Sequence, residues 1–204
     1  TSKVLPNYYE SVESIVALEQ VMTSSYVRIG APNKALIDKY RTGDKRKSLF
    51  YKAITASAYS LQKYGEKGND GYRCSFRSAE AYLIAAEAAA ELAADNAAAD
   101  DSKLNEARTY LKKLMVKRYA SAKYNQYAAQ LDNMQKADLL KAIFNERAYE
   151  LAFEGHRWFD LRRTSRPELT KTYDDKTYTL SENDSRYTMR FPIEAVEANP
   201  NIEK

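Results

Sequence analysis

The stretch Glu146–Arg163, ERAYELAFEGHRWFDLRR, restricts the fold of this chain more than any other part of it. Glu146, Glu150 and Glu154 recur every fourth residue, so on one helix they form a single row. Like charges at that spacing repel each other and need cations to hold them. Arg147, Arg157, Arg162 and Arg163 are the nearest supply. The pattern predicts a long helix, a stop at Gly155 and a second basic-aromatic helix, folded into a charge-locked corner.

The rest of the composition favours helices. Alanine is abundant, whereas 204 residues contain only 6 glycines and 5 prolines. An apolar fraction of 44% is enough for a core in a chain of this length. With 32 Lys and Arg against 28 Asp and Glu, the net charge is only +4, so no nucleic-acid partner is expected. The single cysteine, Cys74, excludes an internal disulfide and a cysteine-only metal site. No apolar run approaches the ~18 residues of a membrane-spanning helix. The chain starts at Thr1 without a signal peptide, which reads as a cytosolic protein or a mature or trimmed fragment. Its 17 tyrosines suit half-buried packing and carbohydrate contact, packing being the reading for most.

Along the chain, residues 1–75 read as irregular with short strands. Ser14–Gln20 is a short apolar run, either a strand or a helical turn, Lys34–Tyr40 a short helix, and Leu49–Tyr64 one or two strands. Residues 76–163 read as helical hairpins. Arg77–Ala94 carries an alanine seam that lets a partner helix approach closely. Leu104–Arg118 follows, N-capped by Asp101 or Ser102, and the short link makes the pair antiparallel. Tyr119–Gln135 reads as a polar surface loop. Asp138–Glu154 reads as the third long helix, with Arg147 on its apolar stripe and so in need of an acidic partner. A fourth helix starts at His156, and residues 164–204 read as an extended tail. The hairpins resemble tetratricopeptide repeats in shape, without regular tandem spacing.

Catalytic and metal readings are weak. A carboxylate metal cluster would want a Glu-x-x-His pair on facing helices, but His156 follows Glu154 by two. Ion pairing with the interleaved arginines is the better reading of Glu146, Glu150 and Glu154. No nucleophile elbow, phosphate loop, dinucleotide fingerprint or zinc spacing occurs, so no catalytic, cofactor or metal residue is assigned. Trp158, in phase with Leu151, reads as core more than as a sugar platform.

ERAYELAFEGHRWFDLRR closely resembles a signature of the SusD/RagB family of outer-membrane nutrient-uptake proteins. Tyr72–Ala88 (YRCSFRSAEAYLIAAEA), Leu104–Arg118, the tail RFPIEAVEANPNIEK and ALIDKYRTGDKR, with its Asp44-x-Arg46 element, are similar to the family in the same order. The resemblance implies a mostly α fold of tetratricopeptide-like helix hairpins, with long loops and a few short strands. It implies a non-enzymatic, lipid-anchored glycan-binding protein on the extracellular face of the outer membrane. Its partners would be an oligosaccharide or peptide nutrient and a TonB-dependent transporter. Family members are usually more than twice as long, so residues 1–204 read as one C-terminal domain. The lipid anchor would then lie outside this segment, since Cys74 sits within the domain.

Sugar recognition wants aromatic platforms beside planar polar groups on loops. Tyr8, Tyr9 and Tyr26, near Asn7, Glu10 and Arg28, are the candidate ligand residues, and packing against other parts of the protein is their competing reading. Two other functions remain in play. One is a helical-repeat protein–protein scaffold, which would show an exposed apolar groove on Arg77–Arg118. The other is a carboxylate glycoside hydrolase, which needs two acids facing each other at roughly 5–10 Å.

Overall fold

The structure, a computed structural model, describes residues 13–22, 31–63, 72–199 and 201. The chain forms two compact units, Thr1–Ala152 and Phe153–Lys204. Among the described residues helices dominate and the strands are short.

In the first unit, β1 (Ser14–Met22) pairs antiparallel with β4 (Tyr72–Arg77), Leu18 opposite Cys74. Between them lie α1 (Lys34–Ile37), α2 (Lys45–Phe50) and a small ribbon of β2 (Tyr51–Ala53) and β3 (Tyr59–Leu61). Strand β4 runs directly into α3 (Ser78–Leu92), which forms a hairpin with α4 (Ser102–Arg118). Asp101 starts α4: its Oδ1 accepts from the amides of Lys103 (2.8 Å) and Leu104 (3.1 Å), two donors that otherwise lack helical partners. Ala79, Ala86, Ala89, Ala90 and Ala93 are buried in one core cluster with Leu104, Ala107, Leu111 and Met115. Small side chains on α3 let the leucines of α4 fill the seam, and each leucine buried there stabilises the fold by about 1.5–3 kcal/mol.

The stretch expected as a surface loop contains a helix, α5 (Ser121–Asp132). Leu131 is its one fully buried residue, with Tyr124 and Tyr127 packed on the core, so the apolar stripe is too narrow to announce itself. The end of α5 is held from elsewhere. Buried Arg108 of α4 donates to the carbonyls of Leu131 (2.7 Å) and Met134 (2.5 Å), supplying a C-terminal cap.

Helix α6 runs Lys136–Glu150 and closes at Leu151, not at Gly155. The three-glutamate row is therefore broken: Glu146 and Glu150 lie on α6, whereas Glu154 lies beyond it, in a turn of the second unit. Phe153 (φ 65°) and Gly155 (φ 85°) are both in the left-handed region, which no helix can run through.

In the second unit, α7 (Arg157–Arg163) carries Trp158, half-buried and stacked on buried Tyr187 at 5.1 Å with 12° between the rings. The Tyr187 hydroxyl donates to the Pro167 carbonyl. The extended-tail expectation does not describe this region. It holds a hairpin of β5 (Leu169–Tyr173) and β6 (Lys176–Leu180), a 3-10 turn at Ser185–Tyr187 and a short helix, α8 (Ile193–Ala198). Asp174 (φ 48°) and Asp175 (φ 57°) make the tight left-handed turn that matches strand twist. No described helix is long and apolar enough to cross a membrane.

Candidate functional site

The densest polar constellation in the first unit is a buried ionic frame built around Arg46. Its side chain is 1% exposed, so every donor needs a partner inside the protein. Asp44 N-caps α2 by accepting from the Arg46 amide, and its carboxylate also grips the guanidinium at 2.9 and 2.7 Å. The remaining donors reach Glu146 (2.8 Å), Glu150 (3.2 Å) and the Tyr119 hydroxyl (3.1 Å). The Tyr119 hydroxyl donates in turn to Glu146.

Glu150, fully buried, is the second hub. Beyond Arg46 it accepts from Arg77 (2.7 Å) and, in a two-pronged fork, from Arg118 (2.9 and 2.8 Å). Glu13 lies 3.5 Å from Arg77 and 3.6 Å from Arg118. Burial alone pushes the Glu150 carboxyl up, but Arg77, Arg118 and Arg46 outweigh it and hold it well below the usual carboxylate range. Burial likewise raises the Tyr119 hydroxyl, with Glu146 adding to the effect. The hydroxyls of Tyr40 and Tyr51 meet at 3.0 Å, and burial pushes Tyr51 up to about 12.

The frame also closes α6. Lys63 donates to the carbonyls of Glu150 (2.8 Å) and Ala152 (2.7 Å), and Arg77 to that of Glu150 (2.9 Å). Two carbonyls at the negative end of the helix dipole, those of Glu150 and Ala152, are thereby met by cations. Nearby, Arg147 pairs with Glu80 of α3 at 2.8 Å, both side chains nearly buried.

The cations on Glu146 and Glu150 thus come from Arg46, Arg77 and Arg118, far away in sequence. Arg157, Arg162 and Arg163, expected beside them, belong to the second unit, where Arg163 pairs with Asp160 at 3.1 Å. Glu154 is buried in that unit too. Tyr8, Tyr9 and Tyr26 lie outside the described residues. Arg46, Arg77, Arg118, Lys63 and Tyr119 were missed as a constellation, although two signals bear on them. Asp44-x-Arg46 is a cap-and-fork pattern, and Arg77 and Arg118 flank predicted helices.

The chemistry open to this frame is narrow. Beside Glu146, a cavity lined by Arg41, Leu111, Asn145 and Tyr149 has about 10 Å³, room for no more than a single water. Each glutamate is already engaged by guanidinium groups, so neither is a free base. Among the described residues no three or more His, Cys, Asp or Glu side chains converge as metal ligands.

Known proteins place this architecture. Among curated proteins none matches the chain significantly. A SusD superfamily protein from Bacteroides fragilis superposes with a TM-score of 0.65 at 24% identity, over 96% of this chain and 46% of its own. A SusD-like carbohydrate binding protein from Bacteroides vulgatus ATCC 8482 superposes with a TM-score of 0.59 at 20% identity, over 96% and 49%. These likenesses show a shared fold, and the chain spans about half the length of each of those proteins. The SusD family model matches residues 7–203, almost end to end, and the chain belongs to the SusD family.

Proposed function

We propose that this chain is part of a non-enzymatic, cell-surface protein that binds glycan and passes it to a TonB-dependent transporter in the outer membrane. The observation that carries the reading is family membership over residues 7–203. A structural relative whose name is SusD-like carbohydrate binding protein supports the choice of ligand class. A lipid anchor outside this segment would hold the protein at the extracellular face, with an oligosaccharide or peptide as cargo.

In this reading the ionic frame is a brace. Its acids are buried, paired and without room for a sugar ring, so ligand contacts belong on loops and exposed faces. Tyr8, Tyr9 and Tyr26 remain proposed contacts. A helical-repeat scaffold for a protein partner has less support. Tyr82, Ile84 and Leu92 are exposed on α3 and Val116 on α4, but at 100° per residue Tyr82 and Ile84 point about 160° apart, so the α3 side chains do not line one narrow groove.

The test is isothermal titration of the chain, and of a longer form carrying the remainder of the family length, against a panel of soluble polysaccharides. Saturable binding is the expected result. Heat at the level of dilution across the whole panel, for both forms, removes the glycan reading. Co-purification of a TonB-dependent transporter from outer membranes tests the partner separately.

A further inference from the structure

We infer that one face of the β5–β6 hairpin is a binding surface for acidic carbohydrate, a site that rests on the glycan reading and narrows its ligand class. In the strand register Tyr173 faces Lys176 and Lys171 faces Tyr178, so these four side chains share one face. The two rings sit on one diagonal of that face and the two ammonium groups on the other. Tyr173 is 76% exposed and Tyr178 55%. Among the described residues neither ring stacks on another and neither lysine is held in an ion pair.

The opposite face explains how the ribbon keeps its shape without using those groups. It is made of threonines alone, with hydroxyl pairs Thr170–Thr179 at 3.4 Å and Thr172–Thr177 at 3.5 Å. The turn is preset by the left-handed Asp174 and Asp175, which lie at the tip beyond the tyrosine face. At the base, Arg186 donates to the Thr179 carbonyl at 3.0 Å while forked onto Asp184. The ribbon is therefore braced on one side and chemically idle on the other.

Tyrosine rings offer flat apolar surface to the C–H face of a pyranose together with a hydroxyl for its polar edge. Two unpaired ammonium groups beside them complement carboxylate or sulfate substituents and discriminate against neutral chains. Sheet geometry holds the four groups in a fixed array, which lowers the ordering cost of binding.

The experiment uses the chain as it stands, with polygalacturonate and chondroitin sulfate as acidic probes and amylose and xylan as neutral ones. An acidic probe should bind, shift the ring protons of Tyr173 and Tyr178 in NMR spectra, and bind roughly tenfold more weakly to Y173A/Y178A. Y173F/Y178F should keep most of the affinity, and K171Q/K176Q should lose the preference for acidic over neutral probes. If an acidic or neutral probe binds with the two rings unshifted and the alanine variant unaffected, the hairpin inference is wrong and the glycan reading stands. Preference for neutral probes overturns the acidic assignment, and absence of binding to all four, with the wider panel also silent, overturns both. Ring shifts in the unaltered chain keep the test decisive even if the alanine variant frays.

Discussion

The ionic frame of the first unit and the β5–β6 ribbon of the second treat charge in opposite ways. In the first, Arg46, Arg77, Glu146 and Glu150 are taken out of water and tied into one frame. In the second, Lys171, Asp174, Asp175 and Lys176 stand in solvent on a two-stranded ribbon. The same residue types thus do different physical work. A buried charge must be met in full, so the partners it recruits specify how β4, α2, α4 and α6 pack. An exposed charge is screened and contributes little to stability, which leaves it available to a ligand.

Removing a hub should separate the units most sharply. Arg46→Met leaves Asp44, Glu146 and Glu150 short of a cation and should lower stability by about 3–5 kcal/mol, measured by denaturant unfolding. A loss comparable to that of a surface substitution would show that the frame is hydrated and weak. Acid probes the same frame. Glu150 has a depressed carboxyl in the folded protein, so the unfolded state binds more protons as pH falls. The stabilisation is complete above the ordinary glutamate range and is lost as pH drops through the folded value. Glu150→Gln should flatten that acid-side slope in the unfolding midpoint, and an unchanged slope would assign acid sensitivity to other groups.

Arg147→Met tests the buried pair with Glu80, and the expected loss is roughly 2–4 kcal/mol, below that at Arg46, whose guanidinium serves Asp44, Glu146 and Glu150. Equal losses at the two sites would mean that the network adds nothing beyond its pairs. Asp101→Ala removes one helix cap and should cost about 1 kcal/mol. At the far end of the scale, Thr172→Ala with Thr177→Ala should leave the main transition within ~0.5 kcal/mol while speeding amide exchange in the hairpin. A global shift of the transition would show that the ribbon is coupled to a core.

Local chemistry accounts for much of what could be read in the chain. Ser78–Leu92 and Ser102–Arg118 were legible because alanine and leucine recur at helical spacing and Asp101 announces a start. Helix α5 was not, because its buried stripe is narrow and its C-terminal cap is Arg108, which no local pattern reveals. The glutamate row was overextended for a related reason: spacing continues through Glu154, but Lys63 and Arg77 take up the carbonyls at Glu150 and the backbone then turns left-handed at Phe153.

By itself, the order of residues determined that acids at 146 and 150 would need cations, that alanine-faced helices would pair closely, and that the family pattern would cover most of residues 34–204. Which cations would answer those acids was decided only in three dimensions. Arg46 and Glu146 are far apart along the chain, and no local rule links them; they meet because burial of the α3–α4–α6 core brings them together and then tolerates no unpaired charge.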